Sequence, residues 1–422
     1  MQSVYIKNGQ VKGTFVAPSN KSEVLRYLLI GALAQDESVI RKVSINDDVI
    51  AMINCLREMG AIINITDLKD GTKISIKKGI DFHLEDVSVH VGASIETFKL
   101  LEPIVTLFNS PINIVVDNGL IKKNPSLNED TVRMLSARQG NIFTINTKLR
   151  SHSYDINSNM STTSMCGLLI ALPKMRTDSF IHVASSLRSP SLVDITIDCL
   201  RASGVVIEKR DEYEYYIKGN QAFEGFDVTI EGDYAIASHF MCLAAYNGNI
   251  KFRNLNTDTI QGEKKIIEIL SLMGVSISED DEGYNIKKTQ LKPIDVSVDD
   301  SINLSLIVIA MCSVLNGISY IRGINLNRKK DYQRISLLTE ELQKLGSYIE
   351  IEEKCIKVYG GISIDGTLNV STHSDYRIAM ALSIIASCFK QGIHIDGVEC
   401  VEKIYPEFYY ELERLGLPIV RK

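Results

Sequence analysis

The chain has 422 residues, 45% of them hydrophobic and 23% charged, with a formal net charge of −6; this is a globular composition with core enough for two or three ordinary domains. The negative balance excludes a broad nucleic-acid surface, so any anionic ligand must be drawn by a local cluster of cations. The opening MQSVYIKNGQ has neither a basic start nor an apolar run, stretches such as Leu304 to Leu315 are too short to span a bilayer, and the eight cysteines stand singly; the expectation is a cytoplasmic protein with reduced core thiols, no signal peptide and no membrane partner.

In chain order, a strand runs into Pro18-Ser19-Asn20 and a helix starts near Ser22, with Lys21 at its lip, Arg26 one turn in and an apolar body from Leu25 to Ala34. The ending LREMGA at Leu56 to Ala61 returns as LRASGV at Leu200 to Val205, LSLMGV at Leu270 to Val275 and LQKLGS at Leu342 to Ser347. In each, helically spaced apolar residues lead to a glycine suited to the left-handed position past a helix end. Strands such as VVIEKR and VSISED follow, so helix, glycine and strand form a repeated module. Between modules, Ser164 to Leu172, Ala235 to Ala245, Ser305 to Leu315 and Arg377 to Phe389 read as helices apolar on most faces, hence buried. Alternating strands and helices predict a layered α/β architecture. A boundary is expected at Glu231-Gly232-Asp233, after the strand FDVTI. No G-x-G-x-x-G opens a helix, Lys21-Ser22 lacks the glycines of a phosphate-binding loop, and the histidines show no H-E-x-x-H spacing, so neither a nucleotide nor a metal site is expected.

The chemically suggestive residues are cations at helix starts: Lys21 and Arg26, then Lys330 and Arg334 in NRKKDYQRISLL, then Arg377 in HSDYRIAMA. A cation there costs about 0.3–1 kcal/mol against the helix dipole, whereas an anion gains from the dipole and the free N–H groups. Repetition therefore points to bound anions. Two acids, Asp300 at a strand end and Asp331 beside Lys330, are candidates for proton transfer, since neighbouring cations lower a carboxylate pKa and favour the base. Asp299 competes with Asp300, and one of the two can be a helix cap.

These segments resemble the 5-enolpyruvylshikimate-3-phosphate synthase family. PSNKSEVLRYLL is similar to its P-x-x-K-S-x-x-x-R-x-L signature, IEGDYAIASHF to its E-G-D segment, DDSINLSLIVIA to its catalytic-aspartate segment and RKKDYQRI to its R-x-K-E-x-x-R motif. HSDYRIAMA is similar to the family's N-D-H-R-x-A-M and VEKIYPEF to its K-x-[FY]-P, in the family's order along nearly the whole chain. The resemblance implies a two-lobed enolpyruvyl-transferase fold, an inside-out α/β barrel with three βαβαββ repeats per lobe. The first lobe would be 19–230 and the second 1–18 with 231–422, with the active site in the cleft between them. It implies a monomer, without cofactor, that moves the enolpyruvyl group of phosphoenolpyruvate to a hydroxyl of shikimate 3-phosphate, a step of aromatic amino-acid and chorismate biosynthesis. Arg334 and Arg377 would hold the donor's carboxylate; Lys21 and Lys403 its phosphate and the proton; Asp300 the attacking hydroxyl; Asp331 would stand for a family glutamate. Ser161, Thr162, Ser189 and Lys330 would hold the acceptor's phosphate, with Thr163 a further substrate-binding residue beside them and Ser22 and Arg26 on the acceptor's ring and carboxylate.

The first lobe departs from that pattern. GASIETFK, aligned with G-N-A-G-T-A-M-R, puts Ile95 for a glycine and Lys99 for the arginine; LIKKNP puts Leu120 where an arginine meets the donor's phosphate, with Lys122 or Lys123 as substitutes; Thr163 replaces glutamine and Leu192 a tyrosine. Two other readings follow: a paralogue acting on another phosphorylated or acidic alcohol, and a non-catalytic anion-binding relative.

Overall fold

The computed structural model of the chain describes residues 2–69, 71–123, 127, 136–157, 160–184, 187, 189–326, 328–362 and 368–422, without the side chains of Lys123, Asp300 and Leu368. The chain divides into two compact units, one formed by Met1–Pro18 with Glu231–Lys422 and the other by Ser19–Ile230. Each has its own hydrophobic core, running from Val24 to Ile230 in the second and from Val4 to Leu417 in the first.

The described strands form six four-stranded sheets, all on one plan: a parallel pair followed by two strands antiparallel to what precedes them. In the unit 19–230, Ser88–Gly92, a helix, Ile112–Val116, a helix, Ala137–Gln139 and Ile142–Ile145 make one βαβαββ repeat. Ser153–Ile156 to Glu214–Ile217 make the next. The remaining sheet takes its parallel edge from the end of the unit, where Asp227–Thr229 lies beside Ser38–Val43. The other unit does the same with the start of the chain: Val11–Val16 lies parallel to Gly248–Arg253, and Ser3–Ile6 sits between Ile393–Asp396 and Ile419–Arg421.

Helices that the sequence marks as apolar all round are buried all round. Every residue of Ser305–Ser313 is buried, and so is nearly every residue of Tyr234–Asn247. Two expected helix bounds shift for local reasons. The first helix is Lys21–Gly31, starting early because the Asn20 side chain accepts the Glu23 N–H, and ending early because Leu33 N–H bonds to Ile30 in a tighter turn. Tyr376–Ala386 likewise ends before Phe389, whose N–H bonds to Ala386.

The repeated glycines all take the left-handed conformation: φ is +92° at Gly60, +76° at Gly204, +87° at Gly274 and +91° at Gly346. A fifth, Gly416 at +110°, ends Phe408–Arg414 and lies outside the sequence pattern because a proline follows in place of a β-branched strand. The chain leaves the first unit beside a tight turn: Asp233 N–H bonds to the Pro18 carbonyl at 2.8 Å, and a Cβ on Gly232 would run into the Asn254 carbonyl. Beyond Pro18, Ser19 and Ser44 exchange two bonds, each backbone N–H to the other's hydroxyl, at 2.9 and 2.8 Å.

Candidate active site

In the unit 19–230, three helix starts bring four charges together. Asn20 caps Lys21–Gly31, Asn46 caps Asp47–Glu58 and Ser94 caps Ile95–Val105, each accepting a backbone N–H with its side chain. Asp48 and Glu96 lie in the first turns of the second and third helices, where the dipole favours carboxylates. Both meet Lys21, whose Nζ is 2.6 Å from Asp48 Oδ2 and 3.0 Å from Glu96 Oε2. Ser22 Oγ donates to Glu96 Oε1 at 3.4 Å. Arg26 lies 3.8 Å from the same oxygen, so among the described residues two cations face two carboxylates.

Arg26 is fully buried, donating from Nε to Thr196 Oγ1 at 2.6 Å and from Nη1 to the Ser22 carbonyl at 2.8 Å; its Nη2 is buried with no hydrogen-bond partner among the described residues. Thr162–Ala171 packs against Ile95–Val105 at Gly167, where a Cβ would stand 2.9 Å from the Leu100 carbonyl. At its start Ser161 makes no side-chain capping bond, and Thr162 Oγ1 is buried without a hydrogen-bond partner, among the described residues. Thr163, Ser189 and Leu192 are half-buried. Lys99 and Leu120 are buried, and Lys122 is exposed.

In the other unit the charges gather on Asp375. Arg334, on Lys329–Lys344, donates from Nε to Asp375 Oδ2 at 2.6 Å and has Asp331, buried in the first turn, at 3.9 Å. Asp375 caps Tyr376–Ala386 by accepting the Arg377 N–H at 2.9 Å, and the Arg377 guanidinium stacks on Tyr376 with 4.4 Å to the ring centroid. Burial works to raise the Asp375 pKa, but Arg334 and then Arg377 outweigh it and hold the carboxyl below its ordinary range. His239 behaves as a neutral ring: burial first, then Arg377, lowers its pKa to about 4.

The turn that presents Asp375 is strained, with His373 at φ +50° and Ser374 at +56°. Glu341 holds it. This wholly buried carboxylate lies two helical turns beyond Arg334 on the same face. It accepts Lys344 Nζ at 2.7 Å and Ser371 N–H at 3.0 Å, with His373 Nε2 at 2.7 Å.

Lys330 is exposed and Lys403 half-buried. The Asp300 side chain lies outside the described residues. Asp299 opens a short 3-10 turn, Asp299–Leu304, and is 3.4 Å from Lys265 Nζ. Sequence reasoning found the cations but missed the partners Asp48, Glu96 and Glu341. Asp48 and Glu96 carried a signal, an acid in the first turn of a capped helix; Glu341 carried none. Among the described residues no group of His, Cys, Asp and Glu could hold a metal ion, and no helix is long and apolar enough to cross a membrane.

The family model for EPSP synthase (3-phosphoshikimate 1-carboxyvinyltransferase) matches residues 6–412. The chain belongs to the EPSP synthase family. This member of the family is 30% identical over 421 residues to the 3-phosphoshikimate 1-carboxyvinyltransferase of Clostridium kluyveri, covering 99% of this chain and 98% of that protein. It is 30% identical over 424 residues to the enzyme of the same name from Clostridium acetobutylicum, with the same coverage. Its fold is that of solved enolpyruvyl transferases: EPSP synthase from Acinetobacter baumannii superposes with a TM-score of 0.82 at 21% identity over 100% of both chains. The enolpyruvyl transferase NikO from Streptomyces tendae superposes with a TM-score of 0.79 at 14% identity, covering 100% of this chain and 99% of that one. The EPSP synthase fold expected from the sequence motifs is therefore the fold found.

Proposed function

We propose that the protein is a transferase that moves the enolpyruvyl group of phosphoenolpyruvate to a hydroxyl of shikimate 3-phosphate. The observation that carries this reading is the convergence of Arg334 and Arg377 on Asp375 in a chain that matches the family from residue 6 to 412. A pair of guanidinium groups beside a helix N-terminus suits a carboxylate, and the planar fork suits a two-oxygen grip.

In the proposed chemistry the acceptor hydroxyl oxygen bonds to C2 of the donor while C3 takes a proton. Loss of a proton from C3 and of phosphate from C2 then regenerates the double bond in the product ether. Asp300 serves as the base for the hydroxyl, Lys21 and Lys403 stabilise the phosphate and carry the proton, and Asp331 assists from the helix of Arg334. Lys330, Ser161, Thr162 and Ser189 hold the acceptor's phosphate, with Thr163 a further substrate-binding residue; Ser22 and Arg26 serve the acceptor's ring and carboxylate. No cofactor enters, and the resemblance carries with it a cytoplasmic monomer.

A second reading, a family member acting on a different phosphorylated or acidic alcohol, is favoured by Leu192, which replaces the tyrosine expected near the ring, and by Arg26, which gives its Nε and Nη1 to Thr196 and Ser22 inside the unit. Phosphate release by purified protein with phosphoenolpyruvate, with and without shikimate 3-phosphate, and mass spectrometry of the product, tests both. Acceptor-dependent phosphate with the enolpyruvyl ether is the expected result. Release with another alcohol only supports the second reading, and no release with any acceptor leaves an anion-binding protein without turnover.

A further inference from the structure

Lys21 already has a carboxylate at 2.6 Å in Asp48, so Glu96 is a second one. Without Glu96 the cluster of Lys21, Arg26 and Asp48 would carry a net positive charge beside three helix N-termini, the arrangement that binds a phosphate or carboxylate. With it the cluster is neutral, and the Glu96 carboxylate occupies the space that such an anion would take between Lys21, Ser22 and Arg26.

The four groups differ in freedom. The Arg26 and Asp48 side chains are 0% and 5% exposed, whereas those of Lys21 and Glu96 are each 19% exposed. Glu96 is the longer carboxylate and reaches water from the first turn of its helix, so it is the group that can swing out from Lys21.

We infer that Glu96 is a resident counter-ion of Lys21 that sets the affinity threshold an anion must exceed: a donor's phosphate enters only by displacing it. This rests on the proposed role of Lys21 toward that phosphate. A displaceable carboxylate penalises small anions that make few other contacts, above all free inorganic phosphate, the leaving product. A donor gripped elsewhere by its own carboxylate overcomes the same penalty. Glu96 therefore weakens both by a like factor, which leaves free phosphate without useful affinity while the donor, with its further contacts, still binds.

The test is calorimetric titration of the full chain with inorganic phosphate, and separately with phosphoenolpyruvate, for the wild type, Glu96→Gln, Glu96→Thr and Glu96→Gln combined with Lys21→Ala. The wild type is expected to bind phosphate no tighter than about 10 mM, and Glu96→Gln to tighten it by about tenfold or more, a gain that Lys21→Ala cancels. Phosphate affinity unchanged or weakened in both folded Glu96 variants overturns the inference. Should the variants fail to unfold cooperatively, wild-type phosphate binding tighter than ~0.1 mM overturns it on its own, because an anion site already filled by Glu96 cannot hold free phosphate so well. Turnover of the same wild-type preparation with phosphoenolpyruvate and shikimate 3-phosphate separates the two claims. Product without tightening sinks the counter-ion alone; tightening without product sustains the counter-ion and sinks the synthase reading.

Discussion

Asp375 carries an ion pair, a helix cap and the charge of two arginines at once, and its ionisation should be visible in stability. Its folded pKa lies below the ordinary carboxylate range, so its contribution is full above the unfolded value near 3.9 and is lost as pH falls through the folded one. The difference in unfolding free energy between wild type and Asp375→Asn is expected to be constant above about pH 5 and to shrink below pH 4, as read by denaturant titration. His239 acts over a different window. With a folded pKa of about 4 against 6.5, it leaves stability intact above pH 6.5 and removes up to roughly 3 kcal/mol as pH falls to 4. Denaturant unfolding of His239→Asn should lack that slope; the same slope in the variant would assign it to other groups. Arg377→Ala is expected to lower kcat/KM for phosphoenolpyruvate by about ten- to a hundredfold, the value of a charge-assisted contact of about 1.5–3 kcal/mol. The cations were legible in the sequence because each breaks the dipole rule at a helix start. Their carboxylates were not: Asp48 is 27 residues from Lys21 and Asp375 is 41 from Arg334, and only folding brings those helix ends together.

Glu341 shows how one helix shapes the approach to the next. Its three partners, Lys344, Ser371 and His373, fix the segment, and the strained His373-Ser374 turn then delivers Asp375 to Arg334 on Glu341's own helix. Glu341→Ala removes the acceptor of Lys344, Ser371 N–H and His373 and is expected to cost about 1–3 kcal/mol in thermal or chemical unfolding. Glu341→Gln, which keeps the shape, should cost less while still raising KM for phosphoenolpyruvate, a shift that a purely structural brace remote from the arginines would not produce. The helix–glycine–strand module was the most legible part of the fold, because a left-handed residue past a helix end strongly favours glycine. At Gly274 the nearest atom to an added Cβ is 3.8 Å away, so Gly274→Ala isolates the backbone term and should cost about 1–2 kcal/mol. The helix ends near Ala34 and Phe389 were less legible, because an apolar residue suits a buried turn as well as a buried helix.

Each unit keeps a separate core, yet the chain passes through one of them twice. Residues up to Pro18 supply Ser3–Ile6 to the middle of one sheet and Val11–Val16 to the edge of another. Deleting residues 1–18 is therefore expected to abolish amide-exchange protection in Ile393–Asp396 and Gly248–Arg253 while leaving the strands of 19–230 protected, as followed by hydrogen exchange with mass spectrometry. The α/β class was readable from alternation alone. The sheet order was not, since short strands such as Asp227–Thr229 carry too few residues to name their partners, and the parallel pairing with Ser38–Val43 is set by the return of the chain. The interrupted unit also has a consequence on the ribosome. The inserted unit can close once residue 230 has emerged, whereas Val4 and Ile6 must wait for partners from Ile393 onward. At about 5–20 residues per second the interval after residue 230 lasts roughly 10 to 40 s. Throughout it a folded body separates an unpaired apolar strand from its unmade neighbours, so during synthesis this first strand is the natural place for a chaperone to hold.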